Sequence, residues 1–150
     1  MDETLSELYR RPGFLLRHGH QIAVAVFTEE CAAFDITPGQ YGALTVIQAH
    51  AGIDQRTLAR RLGLDASTTG GIVNRLAERG LIDRRVAASD RRSRTLAVSE
   101  EGRRLLETAG PAVKAAQRRL LAPLSAAERD QFVGLLSRLI GAHRKLARDD

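Results

Sequence analysis

Apolar positions recur along most of this chain at helical spacing, and the polar punctuation between them predicts helix, helix, short helix, helix, hairpin, helix, helix. Pro12 and Gly13 open a segment running to about Phe34, whose centre, IAVAVF at 22–27, is apolar on every side. A helix of that kind is buried all round, and in a chain this short a second copy is a natural cover. DITPGQ at 35–40 stops and restarts the helical pattern, with Thr37 as N-cap and Pro38 at the first helical position of a helix continuing through QYGALTVIQAH. Asp54 caps QRTLARRLGL, in which Leu58 and Leu62 sit four apart, and Gly63 closes this helix of barely two turns.

Asp65 caps the next helix, where Thr69, Ile72, Val73 and Leu76 share one face and Gly80 marks the end. LIDRRVA at 81–87 and SRTLAVS at 93–99 are rich in strand formers, and the polar, basic ASDRR between them predicts a hairpin with a charged tip. Ser99 with two following glutamates starts another helix, in which Pro111 is expected to kink or interrupt the path to Leu121. Ser125 and Glu128 form a capping box that opens a last helix to about Ala147, with Phe132, Leu135, Leu136, Leu139 and Ile140 as its apolar stripe.

A short helix, a tight turn through Gly63 and a second helix with small hydroxyl residues at its start is a helix-turn-helix, and the following hairpin makes it a winged helix. With Thr69, Ile72, Val73 and Leu76 turned inward, the second helix presents Ser67, Gly70, Gly71 and Asn74, with Thr68 and Arg75 at the edge. These groups suit base edges and phosphates in a major groove. Two adjacent interior glycines cost a helix about 2 kcal/mol relative to alanines. Their place on the outward face is consistent with a recognition helix thinned for close approach.

Charge strengthens this picture. The chain has 23 Lys+Arg against 18 Asp+Glu, and only Lys114 and Lys145 are lysines. Arginine suits phosphates and guanine edges. Arg84, Arg85, Arg91, Arg92 and Arg94 concentrate on the hairpin against Asp83 and Asp90. Such a loop can enter a minor groove, while Asp90 is expected to hold an arginine or the loop backbone.

The single cysteine, Cys31, rules out an internal disulfide and a cysteine-based zinc site. The four histidines lack zinc spacing, and His18 and His20 face different sides of their helix, so no metal is expected. No P-loop, nucleophile elbow, paired His and Cys or dinucleotide turn is present, so neither catalytic residues nor a cofactor are expected. No segment resembles a signal peptide and the longest apolar run is far shorter than a membrane span, which predicts a cytoplasmic protein without a membrane partner.

LARRLGLDASTTGGIVNRLAERGLIDRR followed by SDRRSRTLAVSEEG resembles the MarR family of transcriptional regulators, with Asp90, Arg92 and Gly102 at the motif positions of the wing and the strand end. The resemblance covers about 35–105 well and the flanking helices by length and placement. It implies a mainly α fold with a small β-hairpin wing: a winged helix lobe at 35–102 and a helical dimerisation region from 1–34 with 103–150. It places Arg92 in the minor groove with Asp90 bracing the wing. It implies a homodimer on double-stranded DNA with a pseudo-palindromic operator, its half-sites roughly 34 Å apart.

Gly70-Gly71 departs from the bulkier residues usual in the family. Family members commonly release DNA on binding a small, often aromatic and anionic, molecule where dimerisation helices meet the winged helix. Arg17, His18, His20 and Tyr41 are this chain's candidates, and LLRHGHQIAVAVFTEE resembles regulators of aromatic-acid degradation, pointing to an aromatic acid or its CoA thioester. Two other readings are a redox-responsive repressor using Cys31, as in peroxide-sensing relatives, and a winged helix serving protein contacts. Glu29 and Glu30 beside Cys31 disfavour the thiolate.

Overall fold

The computed structural model describes residues 2–87 and 89–144, with Arg91 described by its backbone alone. In chain order the elements are α1 (Glu3–Leu8), α2 (Pro12–Glu30), a 3₁₀ turn (Ala32–Phe34), α3 (Pro38–Ala49), β1 (Ile53–Asp54), α4 (Gln55–Leu62), α5 (Ala66–Glu78), β2 (Ile82–Ala87), β3 (Asp90–Val98), α6 (Glu100–Leu120) and α7 (Ala126–Ala142). The strands form one antiparallel sheet in the order β1-β3-β2.

Element ends follow the side-chain chemistry. Thr37 Oγ1 accepts from the Gln40 N–H at 3.1 Å while Gln40 Oε1 accepts from the Thr37 N–H at 3.2 Å, with Pro38 opening α3. Ser125 and Glu128 repeat the device at α7. Asp54 and Asp65 cap α4 and α5, and Gly63 takes the left-handed conformation (φ 67°) that stops α4 and lets the N-cap of α5 follow two residues later. Gly102 has a different reason: a Cβ there would overlap the Leu81 carbonyl oxygen and crowd Val98, so only glycine lets α6 seat against the end of the hairpin. Ser99 reinforces that junction, donating to the Gly80 carbonyl at 2.6 Å and accepting from the Gly102 N–H.

Leu44 and Ile47 of α3, Leu58 of α4, Val73 and Leu76 of α5 and Leu96 of β3 are fully buried and form the centre of the core. Thr69 is buried with them, and Ile72 is half-buried at the core's edge. Phe27 of α2, Cys31 and Ala116 of α6 carry the core toward the helical end of the molecule, where α2 packs along α6. Arg119 fastens these two helices through Glu29 (2.6 Å) and Glu30 (3.4 Å). Arg79, at the end of α5, donates to the carbonyls of Asp35 (2.6 Å) and Phe34 (3.2 Å), which joins the winged helix to the turn after α2.

Several expectations change. The first long helix ends at Glu30 and continues to Phe34 as a 3₁₀ turn. IAVAVF is not enclosed within the chain: Phe27 is the one buried residue of α2, and Ile22 is 48% exposed. Pro111 lies inside α6 without interrupting its 21 residues. Its missing N–H forfeits one backbone bond, while Ala109 and Ala116 are both buried and Leu106, Ala112 and Val113 on either side of it pack against one core. The short α1 and β1 were not expected from periodicity; β1 exists because Ile53 pairs with Leu96, the inner residue of β3. The hairpin tip is shorter than ASDRR, since Asp90 already pairs with Ala87 beyond an irregularity after Val86. Residues 145–150, which include the expected end of the last helix, lie outside the described part.

Candidate nucleic-acid interface

α4 and α5 form the helix-turn-helix, each started by an aspartate that binds a threonine twice. Asp65 Oδ1 accepts from the Thr68 N–H at 2.7 Å and Oδ2 from the Thr68 hydroxyl at 2.8 Å. Asp54 does the same for Thr57, at 2.8 Å in both bonds. These bonds hold both carboxyls below the ordinary aspartate range. Thr68 is exposed, but its hydroxyl proton is committed to Asp65, so toward DNA it offers a lone pair.

Ser67, Gly71, Asn74 and Arg75 are exposed on α5. The two glycines differ. Nothing lies within 4 Å of a Cβ placed on Gly71, whereas one on Gly70 would stand 3.3 Å from Gln55 Nε2 at the start of α4. Gly71 therefore leaves a gap in the outer face, while Gly70 is half-buried and makes room for Gln55, which corrects its expected place on the open face.

The wing is the β2–β3 ribbon, whose outer part stands away from the core: Asp83 to Val86 are all exposed. Its residues pair as Arg84 with Leu96, Arg85 with Thr95 and Val86 with Arg94. Near the tip, Asp90 Oδ1 accepts from the backbone N–H of Arg92 at 2.9 Å. Arg84 turns back to α5, where it donates to Asn74 Oδ1 at 2.7 Å. The Arg91 side chain lies outside the described residues.

Between the wing and the start of α4 lies an open cleft of about 570 Å³ lined by Asp54, Gln55, Arg56, Arg60, Asp90, Arg92, Ser93 and Arg94. Four arginines face two aspartates there, and both aspartates are occupied with backbone N–H groups. The N-terminal end of α4 adds its positive dipole end. The cleft thus favours an anion as large as a phosphate backbone. Gln55, Arg56 and Arg60 were absent from the sequence-based interface, although Arg56 and Arg60, four apart and away from Leu58, carried a readable signal.

The four effector candidates fall into two places. Near the start of α2, Arg17 stacks over the Phe14 ring at 5.2 Å, His18 meets the same ring edge-on at 6.0 Å, and Tyr9 meets it at 5.6 Å. His20 is exposed one residue beyond Gly19. Tyr41 instead packs near Phe27, with ring centroids 6.3 Å apart. Phe14 and Phe27 are separated by 13 residues of α2, roughly 20 Å along its axis. Cys31 is 1% exposed, and burial together with the Glu30 carboxylate pushes its thiol pKa up. That is the environment of a packing residue, as the flanking glutamates suggested, and not of a reactive thiolate.

A short helix, a glycine turn, an outward helix of small polar residues and an arginine-bearing ribbon define a winged helix transcriptional regulator. Residues 34–93 match the MarR family. A protein assigned to transcriptional regulation of the hcr operon in Thauera aromatica is 38% identical over 128 residues, 85% of this chain and 77% of that protein. A transcriptional regulator from Pseudomonas aeruginosa superposes with a TM-score of 0.84 at 37% identity, covering 89% of this chain and 99% of that one. The repressor CouR bound to a 23-mer DNA duplex superposes at 0.83 with 27% identity, covering 93% and 99%. CouR from Rhodococcus jostii RHA1 bound to p-coumaroyl-CoA superposes at 0.75 with 29% identity, covering 88% and 93%. The chain belongs to the MarR family of transcriptional regulators.

Proposed function

We propose that the protein is a ligand-responsive repressor that binds a pseudo-palindromic operator as a homodimer, with α5 in the major groove and the arginine wing in the minor groove. The observation that carries this reading is the continuity of the basic surface: Arg84 meets α5 at Asn74, while Arg92 and Arg94 line the cleft with Arg56 and Arg60. Ser67, Thr68, Gly71, Asn74 and Arg75 meet the groove; Arg85, Arg91, Arg92 and Arg94 serve the wing. Gly70 acts indirectly, by seating Gln55. The DNA complex of CouR, a relative of the same fold, supports the reading.

The homodimer rests on the apolar side chains that α1, α2 and α7 leave exposed, including Leu16, Ile22, Leu135 and Ile140. The effector is an aromatic acid or its CoA thioester, a reading supported by the p-coumaroyl-CoA complex of CouR. In this chain Arg17, with its guanidinium held over Phe14, and His18 suit the carboxylate and ring of such a ligand, and His20 is adjacent. Tyr41 marks a separate place near the winged helix, where α2 meets α3.

A gel-shift on the DNA immediately upstream of the coding region tests both parts. Retardation that falls steeply with salt and is relieved by an aromatic acid or its CoA ester is the expected result. Binding without a salt dependence contradicts the DNA-binding assignment. Relief by none of a panel of aromatic acids and CoA esters contradicts the effector.

A further inference from the structure

We infer that Arg84 makes Asn74 a donor-only reader of the major groove, which favours guanine, whose edge presents acceptors alone, or thymine O4, over adenine, whose N7 acceptor stands beside an amino donor. The inference rests on the DNA-binding reading above and assigns one position of its specificity. Arg84 reaches from β2 across ten residues of sequence to Asn74 Oδ1 at 2.7 Å. A guanidinium carries only donors, so the amide atom that faces it is the oxygen, which fixes which way round the amide lies. The Asn74 NH₂ group is thereby turned away from Arg84.

A free asparagine pairs with adenine by donating to N7 and accepting from the N6 amino group. Here the accepting oxygen is already held by a cation, and adenine would have to bring its own donor beside that guanidinium. Cytosine, with its N4 amino group in the major groove, meets the same obstacle. Guanine O6 and N7 or thymine O4 instead accept from the NH₂ group and are attracted by the neighbouring charge. Access is open, because Gly71, one turn earlier on the same face, has nothing within 4 Å of its Cβ position. The amide and Arg84 are both exposed, so nothing in the core depends on the pair. Arg84 is thus a positioning residue and Asn74 the specificity-determining one.

Selection of duplexes from a randomised DNA pool by the full-length wild-type protein, Asn74→Ala, Asn74→Asp and Arg84→Met tests this. The expected wild-type motif contains a position enriched about fivefold or more for guanine or thymine over adenine on the strand that Asn74 contacts. Asn74→Ala flattens that position. Asn74→Asp flattens it too, although the carboxylate keeps the contact with Arg84, whereas a purely structural pair would be preserved or strengthened. Arg84→Met retains the aliphatic stem but releases the amide oxygen, and adenine becomes accepted there. Every base pair sets guanine or thymine against cytosine or adenine, so the contacted strand is assigned by replacing one base at a time at the responding position. The inference is overturned if binding by the wild type, but not by Asn74→Ala, falls when purine replaces adenine or pyrimidin-2-one replaces cytosine there, if no position responds to Asn74, or if Arg84→Met leaves the preference unchanged. Failure of the wild-type protein to enrich any motif instead overturns the DNA-binding reading itself.

Discussion

The winged helix and the helical end of this molecule carry apolar residues at similar helical spacing, yet they dispose of them in opposite ways. In α3, α4, α5 and β3 the apolar positions converge, and Leu44, Leu58, Leu76 and Leu96 are fully buried. In α7 no residue is buried, and Leu135 and Ile140 stay 61% and 62% exposed. The difference teaches that one periodicity serves two destinations: a core closed by the chain's own sheet, and a surface that in the proposed dimer is closed by another copy. Stability of the first is a property of one chain, whereas stability of the second depends on concentration.

The largest expected effect lies on the closed side. Leu96→Ala opens the core beneath β1 and β3 and is expected to lower unfolding stability by about 2–5 kcal/mol. Urea denaturation checks it, and a loss below 1 kcal/mol would show that this core is not the chain's main support. On the open side, Ile140→Glu is expected to leave helicity by circular dichroism intact while weakening self-association at least about a hundredfold, roughly 3 kcal/mol. Analytical ultracentrifugation reads this directly; an unaltered dimer would remove α7 from the interface.

Arg92→Ala is expected to weaken operator binding about tenfold and to reduce the slope of log K against log salt by about one. Unchanged affinity would count against insertion of the wing. Asp54→Ala is expected to cost about 1 kcal/mol, the worth of one N-cap. The same cap predicts a pH dependence: Asp54, Asp65 and Glu128 are held below their ordinary pKa values by the N–H and hydroxyl groups of Thr57, Thr68 and Ser125. A depressed carboxylate stabilises fully above its unfolded value, near pH 4, and loses that contribution as the pH falls through the lower folded value. Melting temperature should therefore drop below about pH 4, and less steeply in Asp54→Ala.

The smallest effect has the opposite sign. Gly71→Ala is expected to gain about 0.5–1 kcal/mol of stability, since the site is helical and open, while reducing operator affinity. Increased stability with full affinity would refute a recognition helix thinned for DNA. Gly70→Ala is expected to gain less, because its methyl group presses on Gln55.

Much of this could be read before any fold was known, wherever a local rule governs. Thr37, Asp54, Gly63, Asp65, Ser99 and Ser125 with Glu128 act on backbone within four residues of themselves, and each appears where its side chain implies. The outward face of α5 followed from its period, except at Gly70. The local rule failed at Pro111, where packing of Leu106, Ala112, Val113 and Ala116 on the core overrides a proline, and at β1, which with two residues is too short to show a period.

The interface shows the same division. That arginines cluster on a hairpin is evident from composition, but that Arg84 leaves the cluster to hold Asn74 is not, because the pair lies ten residues apart on different elements. Gly70 and Gly71 are chemically identical neighbours, and one faces Gln55 while the other faces open space. Side-chain chemistry acting over a single turn set the elements, their ends and the outward face of α5. Long-range contacts, whose geometry depends on how separate elements pack, set the Arg56 and Arg60 cleft, the orientation of the Asn74 amide and the separation of Tyr41 from Arg17.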